Sequence, residues 1–307
     1  MANYINIATI HFQVSEQGSD DQQAALRQFR EAEARLDGTG VDLVVTCEGM
    51  ESIGQTVEQA ENADHPGPML NAYRDFAMRN RCTIAGSVKL EEHGKVYNAL
   101  VFIGSRGDIL GAYRKTFPTQ GELKEGISAG TGANVVDTPA GRLGGVICFD
   151  LNFDELRDEY RRLRPDVLCF SSMFHGGHLQ QNWAYQCRSY FAAACKDSTS
   201  DILDPHGRIL NSTNFYNRIA WARANLDRFY MHQDGNDAKF PDIRRKYGNN
   251  VLIDTAPDLG TAVMYSLSLE ISALEIAEEF GLLDFDDYLV SSRQLLESEH
   301  KDFANEQ

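Results

Sequence analysis

The sequence predicts an α/β protein in which helices cover mixed β-sheets. Strand patterns alternate along the chain with amphipathic helical patterns, which favours parallel pairing through crossovers. Turns at residues 92–95 and 139–142 interrupt this alternation and add antiparallel hairpins. The 307 residues contain no internal repeat and no linker rich in glycine, serine and proline. We therefore expect one large domain over residues 1–266.

The strands are predicted from apolar runs rich in β-branched residues. Alternation at 5–12 predicts the first strand, and the continuous apolar run at 41–47 is typical of a strand buried on both faces. Further strand patterns occupy residues 82–90, 96–103, 109–113, 135–136, 143–149 and 167–171, and a hairpin is predicted over 202–210.

The helices are predicted where apolar residues recur every three or four positions. These patterns occupy residues 20–36, 69–78 and 178–195, and a further one that begins near Leu156. Beyond about residue 267 the strand patterns stop, and short helices are predicted at 269–282 and 288–297. We expect residues 267–307 to form an acidic helical extension that packs on the domain or on a partner subunit.

Composition and charge exclude several classes of function. Apolar residues make up 42% of the chain and charged residues 24%, as in ordinary soluble proteins. The net charge of −16 argues against nucleic acid or an anionic membrane as a partner. There is no apolar run of the roughly 18 residues that span a membrane, and no signal-peptide pattern. The six cysteines lack metal-binding spacing, so we expect reduced thiols, a cytoplasmic location, and neither metal nor cofactor.

Cys148 has the most chemical context of these cysteines. It stands near the end of the apolar run 143–149, and a polar turn and a helical pattern follow it. A thiol at such a turn projects from the sheet edge, and the backbone N–H of Phe149 can point at the same reaction space. We expect the nearby helix N-terminus to stabilise the thiolate.

Two other candidate residues also follow predicted strands. Glu48 follows the run 41–47, and Lys115 lies just after the run 109–113. Ligand sites in α/β folds prefer this edge of the sheet. A carboxylate, an ammonium and a thiol in one pocket suit acyl transfer. In that chemistry Glu48 takes the thiol proton, while Lys115 and the Phe149 N–H stabilise the oxyanion. Met173 and Phe174, in the loop after the predicted strand at 167–171, are expected to contact substrate.

These residues resemble the nitrilase superfamily of carbon–nitrogen hydrolases. The resemblance rests on the order Glu48, Lys115, Cys148 and on the strings Tyr-Arg-Lys-Thr-Phe and Gly-Val-Ile-Cys-Phe-Asp-Leu-Asn-Phe-Asp-Glu-Leu, and it runs from about residue 5 to about residue 264. It implies a four-layer α-β-β-α sandwich with mixed sheets that forms a homodimer or a higher homo-oligomer. It also implies that Glu48 is the general base, Lys115 the cation and Cys148 the nucleophile.

The resemblance also implies a second glutamate after the lysine. Glu122 matches this position best, and Glu125 is the alternative. Asp154 departs from the pattern, because amide-cleaving members usually have proline there. The stretch Phe-Asp-Leu after Cys148 resembles the amide-cleaving branches rather than the true nitrilases, which tend to have Trp-Glu-Asn.

The predicted function is hydrolysis of a non-peptide C–N bond in a small linear amide or N-carbamoyl compound through a Cys148 thioester. A nitrilase or an acyltransferase that uses the same three residues is the alternative reaction. A binding protein that kept the fold without catalysis is the alternative from another class. The intact set Glu48, Lys115 and Cys148 argues against that last possibility.

Overall fold

The computed structural model describes residues 1–12, 22–49, 57, 60–196 and 198–305. Their contacts group the chain into two compact units. The larger unit is Ile5–Ala224, and the smaller unit joins Met1–Tyr4 with Asn225–Gln307. The candidate residues predicted from the sequence all belong to the larger unit.

Two β-sheets form the interior of the larger unit. The strands of the first sheet are β1 (Tyr4–Ile10), β2 (Leu43–Val45), β3 (Glu61–Asn62), β4 (Thr83–Glu92), β5 (Lys95–Ile103) and β6 (Ile109–Arg114). The strands of the second sheet are β7 (Val135–Thr138), β8 (Gly141–Ile147), β9 (Val167–Ser172), β10 (Tyr190–Cys195), β11 (Asp201–Leu203) and β12 (Ile209–Ser212). A later strand, β13 (Ile219–Asn225), pairs with β1 in the first sheet.

Both sheets are mixed, as the sequence predicts. The first has the order β13-β1-β2-β4-β5-β6, with β3 also paired to β4. In it β2 is parallel to β1 and β4, whereas β4, β5 and β6 are antiparallel neighbours. The second has the order β12-β11-β10-β9-β8-β7, with β8, β9 and β10 parallel. Continuous burial of β9 and β10 explains why their sequences are mainly apolar on both faces.

Helices cover the outer faces of the two sheets. Those of the larger unit are α1 (Gln22–Leu36), α2 (Pro68–Asn80), α3 (Gln120–Lys124), α4 (Asp154–Leu163) and α5 (His178–Cys187). α1 packs on α2, which covers β4 and β5, while α4 packs on α5, which covers β10. Between these layers the sheets contact each other through β5, β6 and β8, and through β2 and β9. The larger unit is therefore an α-β-β-α sandwich, and the predicted fold class is confirmed.

One predicted helix is wrong over its last eight residues, 188–195. The pattern at 178–195 predicts a single helix, but α5 ends at Cys187, and the next residue, Arg188, adopts a left-handed conformation with φ 56°. Residues Tyr190–Cys195 form β10 between β9 and β11, and each of them is buried. A short apolar run fits a buried helix as well as a buried strand, so its periodicity alone does not distinguish them.

The smaller unit is an antiparallel sheet covered by helices. Its elements are β14 (Arg228–His232), α6 (Phe240–Tyr247), β15 (Val251–Ala256), β16 (Thr261–Ser266), α7 (Ala273–Phe280) and α8 (Phe285–Asn305). The strand order is β14-β16-β15. The helices expected at 269–282 and 288–297 are confirmed as α7 and α8, and both contact β14. The division into a domain over 1–266 and an extension over 267–307 stays a prediction. In the described part of the chain, no helix has the length and apolar character to cross a membrane.

Candidate active site

Three strand ends of the larger unit meet at one cavity. Glu48 follows β2, Lys115 follows β6 and Cys148 follows β8. All three line a cavity of about 540 Å³. The described residues that share its wall are Gly49, Lys89, Asn98, Thr119, Glu122, Glu125, Ile127 and Met173. The structure thus brings together the thiol, the carboxylate and the ammonium that the sequence places at separate strand ends.

Glu48 is held by donors on both of its carboxylate oxygens. Its Oε1 accepts hydrogen bonds from Lys115 Nζ at 2.9 Å and from Asn98 Nδ2 at 2.8 Å. Its Oε2 accepts a hydrogen bond from the backbone N–H of Met173 at 3.0 Å. The Cys148 thiol lines the same cavity, where the charge of Glu48 raises its pKa. The side chain is only 8% exposed, so these donors replace the water that a surface carboxylate would bind.

Lys115 is a buried cation between two carboxylates. Its side chain is 1% exposed, and Nζ lies 2.9 Å from Glu48 Oε1 and 2.9 Å from Glu122 Oε2. Burial works against the charge of Lys115, but Glu48 and Glu122 outweigh it and raise the pKa of the ammonium overall. Lys115 therefore carries its charge at neutral pH.

Glu122 is placed by the start of α3. Thr119 and Glu122 form a capping box, in which the Glu122 N–H donates to Thr119 Oγ1 and the Thr119 N–H donates to Glu122 Oε2. Burial alone would raise the pKa of Glu122, but Lys115 and Asn98 lower it overall. Glu125, the alternative from the sequence, lies exposed on the cavity wall. The contact with Lys115 therefore favours Glu122 as the second glutamate.

Cys148 occupies a strained turn. Its φ of 49° lies in the left-handed region, and it begins a 3₁₀ turn over Cys148–Asn152 that leads to α4. Burial, and then the charge of Glu48, raise the pKa of the thiol to about 12, although Lys115 acts in the opposite direction. The expected thiolate, stabilised by a helix N-terminus, is therefore wrong for the resting site. The thiol holds its proton until a base removes it.

Of the three residues predicted to contact substrate, Met173 lines the cavity, whereas Phe149 and Phe174 are not among the described residues of its wall. Met173 also donates its N–H to Glu48. Phe149 and Phe174 are each 38% exposed. The Phe149 ring packs edge-on against Phe153, and the Phe174 N–H donates to Ser172 Oγ. Their roles at a substrate stay predictions.

Sequence reasoning missed Asn98, which connects the two glutamates. Its Nδ2 donates to Glu48 Oε1 at 2.8 Å and to Glu122 Oε1 at 2.7 Å. The side chain comes from β5, where Asn98 interrupts an otherwise apolar run. A polar residue at a buried strand position is a signal that could have identified it. The described residues contain no group of three or more potential metal ligands among histidine, cysteine, aspartate and glutamate.

Comparison with known sequences gives a family match and several relatives. A family model described as carbon-nitrogen hydrolase matches residues 13–227. A deaminated glutathione amidase from Dictyostelium discoideum is 28% identical over 202 residues, which cover 55% of this chain and 69% of the relative. The omega-amidase NIT2 from Homo sapiens is 26% identical over 78% of this chain and 91% of its own length. For the Mus musculus deaminated glutathione amidase, the chain spans 45% of the relative.

Solved structures share the fold at low sequence identity. Nit3 from Saccharomyces cerevisiae, a member of branch 10 of the nitrilase superfamily, aligns with a TM-score of 0.61 and 18% identity over 80% of this chain and 95% of that chain. A mutant amidase from Nesterenkonia sp. AN1 aligns with a TM-score of 0.60 and 18% identity over 78% and 96% of the two chains. That structure shows covalent addition of the acetamide moiety of fluoroacetamide at its active site cysteine.

Proposed function

Because the chain belongs to the carbon–nitrogen hydrolase family, we propose that it hydrolyses a C–N bond of a small linear amide or N-carbamoyl compound through a thioester on Cys148. One observation carries this proposal. The Glu48 carboxylate pairs with the Lys115 ammonium, and both share the wall of a single cavity with the Cys148 thiol. A base, a cation and a nucleophile are thereby available to one small substrate.

Catalysis begins with transfer of the thiol proton to Glu48. The raised pKa of Cys148 makes this step necessary, because almost no thiolate is present at neutral pH. As the proton moves, the sulfur forms a bond to the carbonyl carbon, and the π electrons of the carbonyl move to its oxygen. Lys115 and the Phe149 N–H stabilise the resulting oxyanion, and such donors contribute roughly 3–4 kcal/mol each.

The same carboxyl group then completes the reaction. Protonated Glu48 donates its proton to the leaving nitrogen, the C–N bond breaks, and ammonia or an amine departs from the thioester. Glu48 next removes a proton from water, whose oxygen attacks the thioester carbon. Collapse of the second tetrahedral intermediate releases the acid product, and the sulfur recovers its proton. Glu122 holds Lys115 in place and Asn98 holds Glu48 in place throughout.

Amides are favoured over nitriles as substrates. The curated relatives described above are named as amidases. The residues Phe149, Asp150 and Leu151 resemble the amide-cleaving branches of the superfamily. The cytoplasmic location and the homo-oligomer expected from the sequence stay predictions.

A substrate panel with two cysteine variants tests the proposal. Linear amides, N-carbamoyl amino acids and nitriles are assayed for ammonia release with the wild-type protein, with Cys148→Ala and with Cys187→Ala. Cys187 is a matched control because it is a buried thiol on α5, outside the cavity wall. We expect Cys148→Ala to abolish turnover and Cys187→Ala to keep it.

Added hydroxylamine separates hydrolysis from acyl transfer. A hydrolase gives mainly the free acid, whereas an acyltransferase gives mainly the hydroxamate. Turnover by folded Cys148→Ala would contradict the thioester mechanism. A wild-type protein that turns over no member of the panel, and whose Cys148 is not selectively labelled by a chloroacetamide, would instead support the binding protein.

A further inference from the structure

Asp150 is a buried carboxylate that takes no direct part in the proposed chemistry. Its side chain is 0% exposed, and it accepts three hydrogen bonds. Oδ2 accepts from the Tyr113 hydroxyl at 2.8 Å and from the Ile147 N–H at 2.9 Å, and Oδ1 accepts from the Phe117 N–H at 2.9 Å. Burial raises the pKa of Asp150 to about 7 despite these donors. A group this costly to bury calls for a reason.

The three donors belong to the segments that carry the catalytic groups. Tyr113 and Phe117 lie two residues before and two residues after Lys115, at the end of β6 in the first sheet. Ile147 immediately precedes Cys148, at the end of β8 in the second sheet. A single carboxylate therefore connects the lysine segment with the cysteine segment across the two sheets.

The conformation of the turn at Cys148 requires stabilising contacts of this kind. A residue other than glycine in the left-handed region is strained, as Cys148 is here, and it persists only where its surroundings fix it. The hydrogen bond from the Ile147 N–H to Asp150 closes this turn over the cysteine. A second contact lies at the same junction, where the Phe117 and Phe153 rings stack at 3.7 Å between centroids.

We infer that Asp150 is a positioning residue, which holds the strained Cys148 turn and fixes the distance between the Cys148 thiol and the Lys115 ammonium. The inference rests on the proposed function, because it takes Cys148 as nucleophile and Lys115 as the oxyanion-stabilising cation. The thiol must face both Glu48 and the substrate carbon, and a displacement of about 1 Å can cost on the order of 100-fold in rate.

Two variants remove different hydrogen bonds of the Asp150 side chain. Asp150→Asn keeps the shape but replaces one acceptor oxygen with an NH₂ group, so at least one donor facing the side chain loses its acceptor. Tyr113→Phe removes the hydroxyl donor and the contacts of that hydroxyl with Thr116, and it leaves both backbone hydrogen bonds to Asp150 in place. We expect kcat to fall on the order of 100-fold in Asp150→Asn and on the order of tenfold in Tyr113→Phe. We expect little change of KM in either variant.

Alkylation of Cys148 separates positioning from a general loss of folding. Near-UV circular dichroism gives the folded fraction, and the chloroacetamide labelling rate is measured per folded molecule. We expect slower labelling in Asp150→Asn, because the displaced thiol moves away from the Lys115 ammonium, whose charge lowers the pKa of Cys148. The losses of kcat in the two variants should also be less than additive when combined, because both residues act in one network.

Three results would overturn the inference. The first is wild-type kcat in folded Asp150→Asn. The second is a loss of kcat that matches the loss of folded protein, with unchanged labelling per folded molecule. The third is wild-type kcat in folded Tyr113→Phe, which decides the question if Asp150→Asn does not fold. None of these results affects the proposed function, which fails only if folded Cys148→Ala retains turnover or the wild-type protein has no substrate.

Discussion

The charges around Cys148 determine how its thiol is activated. Glu48 and Glu122 share the Lys115 ammonium, so these three groups together carry one net negative charge when both carboxylates are ionised. A thiolate would add a second negative charge in a region of low dielectric constant. The site therefore stores the nucleophile as a thiol and depends on Glu48 to remove the proton as the bond to substrate forms.

Glu48→Gln should lower the pKa of Cys148 and still abolish turnover. The charge of Glu48 is second to burial among the causes that raise this pKa from its ordinary value to about 12. Removing that charge favours the thiolate, so the pH at which alkylation becomes fast should move downward. Turnover should fall on the order of 100- to 10,000-fold, because no base remains. The measurement is the iodoacetamide alkylation rate of Cys148 as a function of pH, with ammonia release measured alongside.

Glu125→Gln is the matched control for this titration. It removes a carboxylate from the same cavity wall, but Glu125 is exposed, and solvent screens its charge. We expect its alkylation profile to match that of the wild-type protein. An unchanged profile in Glu48→Gln, or an equal shift in both variants, would show that Glu48 does not control the thiol.

At the scale of elements, the close approach of β6 to β8 places the catalytic groups. Gly145 in β8 faces Tyr113 in β6, and a Cβ added at Gly145 would lie only 2.4 Å from Tyr113 Cβ. A larger residue at this position would push the two strands apart. Because Lys115 and Cys148 follow these strands, the absence of one side chain contributes directly to the distance between the cation and the nucleophile.

Gly145→Ala should destabilise the protein and lower kcat together. Overpacking a core usually costs about 1–3 kcal/mol of unfolding free energy, and here the displaced strands carry the active site. Gly121→Ala is the control, because its added Cβ would meet only Thr119 Oγ1, at 3.8 Å. Urea unfolding and kcat are measured for both variants. Equal effects in the two variants would show that contact between β6 and β8 does not limit the site.

The sequence predicted the site correctly where reactive side chains directly follow predicted strands. Glu48, Lys115 and Cys148 were predicted to meet because each follows a strand, and the structure places them in one cavity. Asn98 and Asp150 were missed, because the importance of each arises from partners distant in sequence. The run Tyr190–Cys195 was misassigned because its burial in β10 comes from neighbouring strands rather than from its own periodicity.

At the scale of the whole molecule, helix α7 belongs to a hydrophobic core of its own unit. Ile276 and Ala277 of α7 are buried in a cluster with residues of β14, α6, β15 and β16. The buried members of that cluster are Met231, Phe240, Ile243, Val251, Ile253, Ala262, Met264, Ile276 and Ala277. The sequence predicted α7 as part of an extension, because the end of the strand patterns suggested a boundary at 266. Ile276 and Ala277, which lie beyond residue 266, nevertheless pack in the same core as β14, β15 and β16.

Two substitutions on α7 test whether this helix stabilises the fold or only covers it. Ile276 is 0% exposed, whereas Leu274, two residues earlier, is 55% exposed. Truncating a buried isoleucine to alanine costs about 2–5 kcal/mol, because apolar contacts are lost and a cavity remains. We therefore expect Ile276→Ala to lower the free energy of unfolding by that amount. Leu274→Ala should change it by no more than about 0.5 kcal/mol. Urea unfolding followed by far-UV circular dichroism measures both, and similar small losses would mean that the core of this unit does not depend on α7.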